Sequence, residues 1–156
     1  EEEVDRTSAE QLEELDLSNN TINGTDALRS LKNLRKLNLD NNNVLELSFL
    51  LSSPNIEELT LSNNRLLDIT VLASLNHLKD LGLDVNNITD VSALASLSGL
   101  RVLGLSDNKI EDISPLVPKT LKNGKGTLIL VGNPLSQESI DVHIPALKAR
   151  GITVIF

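Results

Sequence analysis

The strongest constraint in this chain is a recurrence. Asn20, Asn42, Asn64, Asn86 and Asn108 stand 22 residues apart each time. The residues around them recur too: LEELDLSNNTI from Leu12, LRKLNLDNNNV from Leu34, IEELTLSNNRL from Ile56, LKDLGLDVNNI from Leu78 and LRVLGLSDNKI from Leu100. A sixth copy, KGTLILVGNPL, puts Asn133 25 residues after Asn108. This aliphatic spacing suits neither a helix nor a strand alone. It suits a coil in which a short strand points alternate residues inward before the chain turns away. One coil cannot bury its own leucines, so successive coils must stack into a solenoid.

Stacking puts Leu15, Leu37, Leu59, Leu81, Leu103 and Leu128 in one inward column. Leu17, Leu39, Leu61, Leu83, Leu105 and Leu130 form the next. The strands then pair in parallel about 4.8 Å apart. Asn20, Asn42, Asn64, Asn86, Asn108 and Asn133 fall where the chain leaves the sheet. A buried unpaired backbone group there costs about 1–3 kcal/mol. An amide side chain, with two donors and an acceptor, can satisfy such groups from inside. The asparagine ladder therefore reads as structural. The return leg opens on Asp26, Ser48, Thr70, Ser92 and Ser114, all suited to N-cap a helix. Pro115 follows where proline favours a helix start. Leu28, Leu50, Leu72, Leu94 and Leu116 then point inward. The expected fold is α/β: a short arc with a parallel β-sheet on its concave face and short helical or 3-10 turns on its convex face.

The stretches NNITDVSALASLSGL and NKIEDISPL resemble the 22-residue repeats of internalin-like bacterial leucine-rich-repeat proteins. The resemblance covers about Leu12 to Leu116. It implies a leucine-rich-repeat solenoid in a secreted or surface-attached bacterial protein that binds a partner on its concave face. Two features depart from that family: no recognisable helical cap precedes Leu12, and no immunoglobulin-like domain follows the repeats. The chain begins without Met, signal peptide or lipidation motif, and reads as processed or excised from something longer. The expected location is extracellular or at the cell surface, with the cytoplasm as the alternative.

The expected organisation is an acidic flank over residues 1–11, five repeats over 12–121, an irregular sixth over 122–135 and a C-terminal cap over 136–156. In the cap, Ser136 is placed to start a helix with Ile140, Ile144 and Leu147 apolar. Pro145 suggests a break, and Gly151 is placed to end the helix. Ile152, Val154 and Phe156 alternate, which predicts a last strand on the sheet edge. The insertion VPKTLKNGKGT, residues 117–127, carries Lys119, Lys122 and Lys125. It reads as a solvated loop turning at Asn123-Gly124, with a contact loop as the other reading.

Charge and composition narrow the function. A formal charge of −8 argues against nucleic acid or anionic membrane as the main partner, since both need a basic face. No apolar run is long enough to span a bilayer. Two Phe and no Trp or Tyr leave few aromatic anchors, so a partner would have to supply them. His77 and His143 lie far apart in the stack, without a nucleophile beside either. An open arc also offers no dry pocket for acid–base work. No enzyme, cofactor or small-molecule substrate is expected.

The concave face divides in two. Glu13, Arg35, Glu57, Lys79 and Arg101 recur at position 2 of the repeat, and Glu14, Lys36, Glu58, Asp80 and Val102 at position 3. Their signs mostly alternate, which suits cross-strand pairing. Further along, position 5 becomes Gly82, Gly104 and Ile129, joined by Val85, Val102 and Val131. LILV, residues 128–131, abandons the polar-out pattern, as in a strand covered on both faces. The cover is either the 117–127 loop or a partner in a shallow groove floored by the glycines. Asp80, Asp84 and Asp107 form a nearby acidic patch. Carboxylates spread over a flat sheet seldom converge on a cation, so no metal site is expected and cation-dependent binding ranks third. The candidate site is thus Gly82, Val85, Val102, Gly104, Ile129, Val131, Asp80, Asp84 and Asp107. The expected function is non-catalytic binding of a protein or peptide; the alternative is a structural segment of a larger bacterial surface protein with no ligand of its own.

Overall fold

The computed structural model describes residues 10–122 and 124–156. The first nine residues of the acidic flank, and Asn123 of the expected Asn-Gly turn, lie outside it. Each repeat contributes one three-residue strand, centred on the first leucine of its L-x-L step. These are β1 (Glu14–Asp16), β2 (Lys36–Asn38), β3 (Glu58–Thr60), β4 (Asp80–Gly82), β5 (Val102–Gly104) and β6 (Thr127–Ile129). A seventh, β7 (Thr153–Ile155), follows from the cap. They form one parallel sheet in chain order. Leu15 stands opposite Leu37, then Leu59, Leu81, Leu103, Leu128 and Val154. The insertion is thus absorbed outside the sheet, and the strand register survives it.

The two leucine columns are buried from the second rung onward, and Leu28, Leu50, Leu72, Leu94 and Leu116 join them from the return leg. In the first rung Leu15 and Leu17 are half-buried. Phe49 is wholly buried in the same core. From Asn42 onward each inner asparagine ties its own coil to the one before, while Asn20 bonds to Leu17 and Ser18 of its own coil. Asn64 Nδ2 donates to the carbonyls of Leu61 and Leu39, both at 3.0 Å, and its Oδ1 accepts the Val44 N–H at 2.9 Å. The same three bonds recur at Asn42, Asn86, Asn108 and Asn133.

The return legs are 3-10 turns at Asp26–Ser30, Ser48–Ser52, Thr70–Ser74, Ser92–Leu94 and Ser114–Leu116. The expected N-caps need correction. Asp26, Ser48, Thr70, Ser92 and Ser114 are the first residues inside the turns. The N-cap positions are Thr25, Leu47, Ile69, Val91 and Ile113, all of them buried. A residue committed to the core cannot cap, so the role passes one residue further back. The carboxylates of Glu46, Asp68, Asp90 and Asp112 accept the backbone N–H of Ser48, Thr70, Ser92 and Ser114 at 2.7–3.0 Å. These bonds, from backbone and hydroxyl alike, hold the four carboxyls below their ordinary pKa. Glycine takes this position in the first repeat, and there Thr25 Oγ1 donates instead to Glu46, at 3.1 Å.

The insertion is not merely a solvated loop. Thr120 and Leu121 are buried, and the segment runs along the return leg of the fourth repeat. There Thr120 Oγ1 donates to the Leu94 carbonyl, and the N–H groups of Leu121 and Lys122 donate to those of Leu97 and Leu100. Arg150 binds it from the cap, its guanidinium donating to the carbonyls of Leu116, Val117, Thr120 and Leu121.

In the cap, Ser136 Oγ accepts the Ser139 N–H at 3.1 Å, a side-chain start for the helix. Pro145 does not break it. The chain widens into a π-helical segment, Ser139–His143, and runs directly into α1 (Ile144–Ala149), with the Ile144 N–H donating to the Ser139 carbonyl. The wider turn accommodates the proline ring, which would otherwise crowd the carbonyl four residues back. Gly151, at φ +78°, closes α1 in a Schellman arrangement: its N–H bonds to the Lys148 carbonyl and that of Ile152 to Leu147. Ile152 and Val154 are buried, but Phe156 is half exposed beneath Lys148 Nζ, 5.2 Å from the ring centre. The expected inward alternation thus stops before Phe156.

Candidate functional site: the strand face

Between β1 and β5 the outer side of the sheet is covered by a run of ion pairs. Arg35 reaches Glu57 at 2.8 Å and Glu13 at 3.8 Å, and Lys79 pairs with the same Glu57. Lys36 sits between Glu14 and Glu58, at 3.4 and 3.5 Å, and Arg101 meets Asp80 at 2.6 Å. These contacts hold Glu57 below its usual range, chiefly through the bond from Lys79, and raise Lys36, Glu14 contributing most. Exposed pairs of this kind contribute little singly, but they fill the face. A recess of about 350 Å³ lies among Glu14, Lys36, Asn38, Glu58 and Thr60.

Beyond β4 the same face turns apolar. Position 5 reads Gly82, Gly104, Ile129 and Ile155, directly opposed across β4 to β7. Val85, Val102, Val131 and Ile155 are each more than 40% exposed. The 117–127 loop lies against the return leg and leaves them uncovered, which corrects the expectation that it shields residues 128–131. Ile155 joins the patch although the repeat pattern does not single it out. Its signal was parity: in an edge strand with Val154 inward, Ile155 faces out.

The glycines do more than floor a groove. A Cβ on Gly104 would meet Asp84 Oδ2 at 2.4 Å, and one on Gly132 would meet Asp107 Oδ1 at 2.2 Å. Each makes room for a carboxylate of the previous rung. Asp84 Oδ1 accepts the Ser106 N–H at 2.7 Å, as Asp40 does from Ser62 at 2.6 Å. The three aspartates of the acidic patch therefore point to different tasks: Asp80 to Arg101, Asp84 to Ser106, and Asp107 outward beside Gly132. Among the described residues no three His, Cys, Asp or Glu side chains are grouped to hold a metal ion. His77 is exposed, and His143 lies in the cap with Nδ1 3.8 Å from Asp112; neither is part of the strand face.

Val85 is the anomaly of the site. Position 8 of every rung is left-handed: Asn19, Asn41, Asn63, Val85 and Asp107 have φ between 53° and 57°, and Gly132 has 77°. Asn, Asp and Gly visit this region readily, whereas a β-branched residue there is strained. The asparagines also form an outer ladder, Asn41 Nδ2 donating to Asn19 Oδ1 at 3.1 Å and Asn63 to Asn41 at 2.8 Å. Valine ends that ladder and puts an apolar side chain into solvent.

Known proteins share this geometry. A family model described as leucine-rich repeats in two copies matches residues 10–52, and one described as a leucine-rich repeat matches 54–110. Among solved structures, the chain is similar to internalin InlF of Listeria monocytogenes, with 26% identity and a TM-score of 0.82 over 93% of this chain and 41% of that one. The functional domain of InlJ from the same organism, which includes a cysteine ladder, is 25% identical with a TM-score of 0.61, over 83% of this chain and 32% of that one. Internalin C2, at 23% identity and TM-score 0.50, shares the fold. The chain thus spans less than half the length of the solved InlF chain and about a third of the InlJ functional domain. No curated protein matches it. Among the described residues no helix is long and apolar enough to cross a membrane.

Proposed function

The chain belongs to the leucine-rich-repeat proteins, of the internalin-like bacterial kind, and from that premise we propose that it is a non-catalytic module binding a protein or peptide across the strand face of its last four rungs. The observation that carries this reading is the change of the face along the stack. Ion pairs run over the face from β1 to the start of β5, ending with Asp80 and Arg101, and exposed aliphatics with glycines take over from the end of β4 to β7. Exposed aliphatics on one contiguous face mark interaction surfaces in soluble proteins. The strain at Val85 supports the same place, since strained backbone clusters where a protein makes contact. The fold resembles bacterial internalins, which supports a location outside the cell or on its surface.

The test is capture from membrane and secreted fractions of candidate hosts by the wild-type chain and by a Val102→Asp/Val131→Asp double variant. The variant should lose the partner while keeping the wild-type melting temperature. Equal capture by both, or none by the wild type, refutes the reading. An arginine at position 104 would be a poor probe, because it collides with Asp84 before it reaches any partner.

A further inference from the structure

The flank that leads from the sheet into the return turns carries a separate anomaly. Position 12 of the repeat is polar in the first, fourth and fifth copies, as Asn23, Thr89 and Glu111, but leucine in the second and third. Leu45 and Leu67 are 58% and 66% exposed, more than any valine of the strand face. They are neighbours on adjacent rungs, for just before them the Arg65 N–H donates to the Val44 carbonyl at 3.3 Å. Two clefts flank the pair. One, of about 180 Å³, has Leu45, Glu46, Asp68 and Val71 in its walls. The other, of about 350 Å³, has Leu67, Asp68, Asp90, Ala73 and Ala93. Among the described residues no Lys, Arg or His lines either one. The surface is thus an apolar ledge edged by Glu46, Asp68 and Asp90. Asp68 and Asp90 each commit a carboxylate oxygen to a turn N–H and make no ion pair among the described residues, whereas both oxygens of Glu46 are engaged, by Thr25 and Ser48, with Arg29 bonded to Ser48 beside it.

We propose that this leucine ledge is a second docking surface, for a cationic segment that seats aliphatic or aromatic side chains on Leu45 and Leu67 and sets lysine or arginine groups against Asp68 and Asp90. The charge of the rim selects the partner, since apolar burial alone is indifferent to sign. The proposal stands apart from the strand-face reading, so failure of either leaves the other in place.

The probe is a fluorescent synthetic amphipathic peptide of leucine and lysine, with a control peptide bearing glutamate in place of lysine, followed by anisotropy. The lysine peptide should bind the wild type and the glutamate peptide should not. Leu45→Ser with Leu67→Ser should weaken binding about tenfold or more, the loss expected from leaving two leucines unburied. Asp68→Asn with Asp90→Asn, which keeps the capping oxygen, should weaken it several-fold and blunt its salt dependence. Circular dichroism and melting confirm that each variant folds. The proposal is overturned if the lysine peptide fails to bind or if the leucine pair leaves its affinity unchanged. It is also overturned if Val102→Ser with Val131→Ser abolishes binding instead, which moves the site to the strand face. Concentration-dependent dimerisation abolished by the leucine pair would make the occupant a second copy, and would overturn the cationic segment too.

Discussion

Replacing Val85 with asparagine should make the protein more stable. The backbone of residue 85 has φ +55°, the same left-handed conformation held by Asn19, Asn41 and Asn63. For a residue with a Cβ this region costs about 1–2 kcal/mol, and β-branching places valine at the upper end. Asparagine escapes part of that cost. It would also stand where it can donate to Asn63, prolonging the bonds from Asn41 to Asn19 and from Asn63 to Asn41. Exposed bonds of this kind contribute about 0.5 kcal/mol. The side chain is half exposed, so little burial is lost. The expected gain is about 1–2 kcal/mol, or roughly 3–6 °C in melting temperature for a domain of this size. Urea and thermal melts at pH 7 measure it. Val85→Gly should gain less, because its unfolded chain is more flexible and it adds no amide. The mirror experiment, Asn41→Val, should lose a similar amount. If Val85→Asn is no more stable than wild type, or if Asn41→Val costs nothing, the strain argument is wrong. Where the strand face binds its partner, the stabilised variant should bind more weakly, the exchange expected of strain retained for contact.

Three further outcomes follow from other regions of the stack. The capping carboxyls of Asp68, Asp90 and Asp112 titrate below their unfolded value of about 3.9. The stability they lend therefore holds above about pH 4 and drains away as the pH falls through their folded values; the triple Asp→Asn variant should flatten that acid limb in melts from pH 7 to 2. Arg150→Ala removes the donor to four carbonyls of residues 116–121 and should cost about 2–3 kcal/mol in a urea titration. Arg150→Lys should recover little of it, since one ammonium cannot reproduce the fork. Gly151→Ala places a Cβ 2.8 Å from Gly124 Cα at φ +78°, and should cost about 1–3 kcal/mol, read as earlier melting of the cap by hydrogen exchange.

How much could be read from the residues depended on whether a side chain obeyed the period. The leucine columns and the inner asparagines repeat at fixed positions, so stacking them gave the sheet and its strand order directly. The capping acids repeat as well, at Glu46, Asp68, Asp90 and Asp112. They are easily passed over because serine and threonine two residues later look like better caps; only the burial of Leu47, Ile69, Val91 and Ile113 shows that the cap position belongs to the core. The insertion resisted reading for a different reason. Thr120 and Leu121 are buried by contacts with residues 94–100 and Arg150, which no local pattern encodes. Of the strand-face candidates, Val85, Val102 and Val131 were visible as apolar residues at outward positions. That Gly104 serves Asp84, rather than opening a groove, required distances. Leu45 and Leu67 escaped notice because leucine is common in the repeat, and only their position within it makes them unusual.

The inner asparagines also give the stack a polarity that its repeated sequence conceals. Asn108 serves the Leu83 carbonyl and the Ile88 N–H of the coil before it. Pull these two coils apart, and of the bonds that the asparagine makes the loss falls on the N-terminal coil. There Ile88 gives up the acceptor of its N–H, and Leu83 keeps only the amide of its own coil, Asn86. The asparagine left on the other side can turn to water. The backbone ladder shares its bonds both ways across a joint, as from Val85 to Ser106 and from Arg101 to Lys79, but the asparagine bonds run one way, and from the first coil to the fifth each coil leans on the amide of its successor.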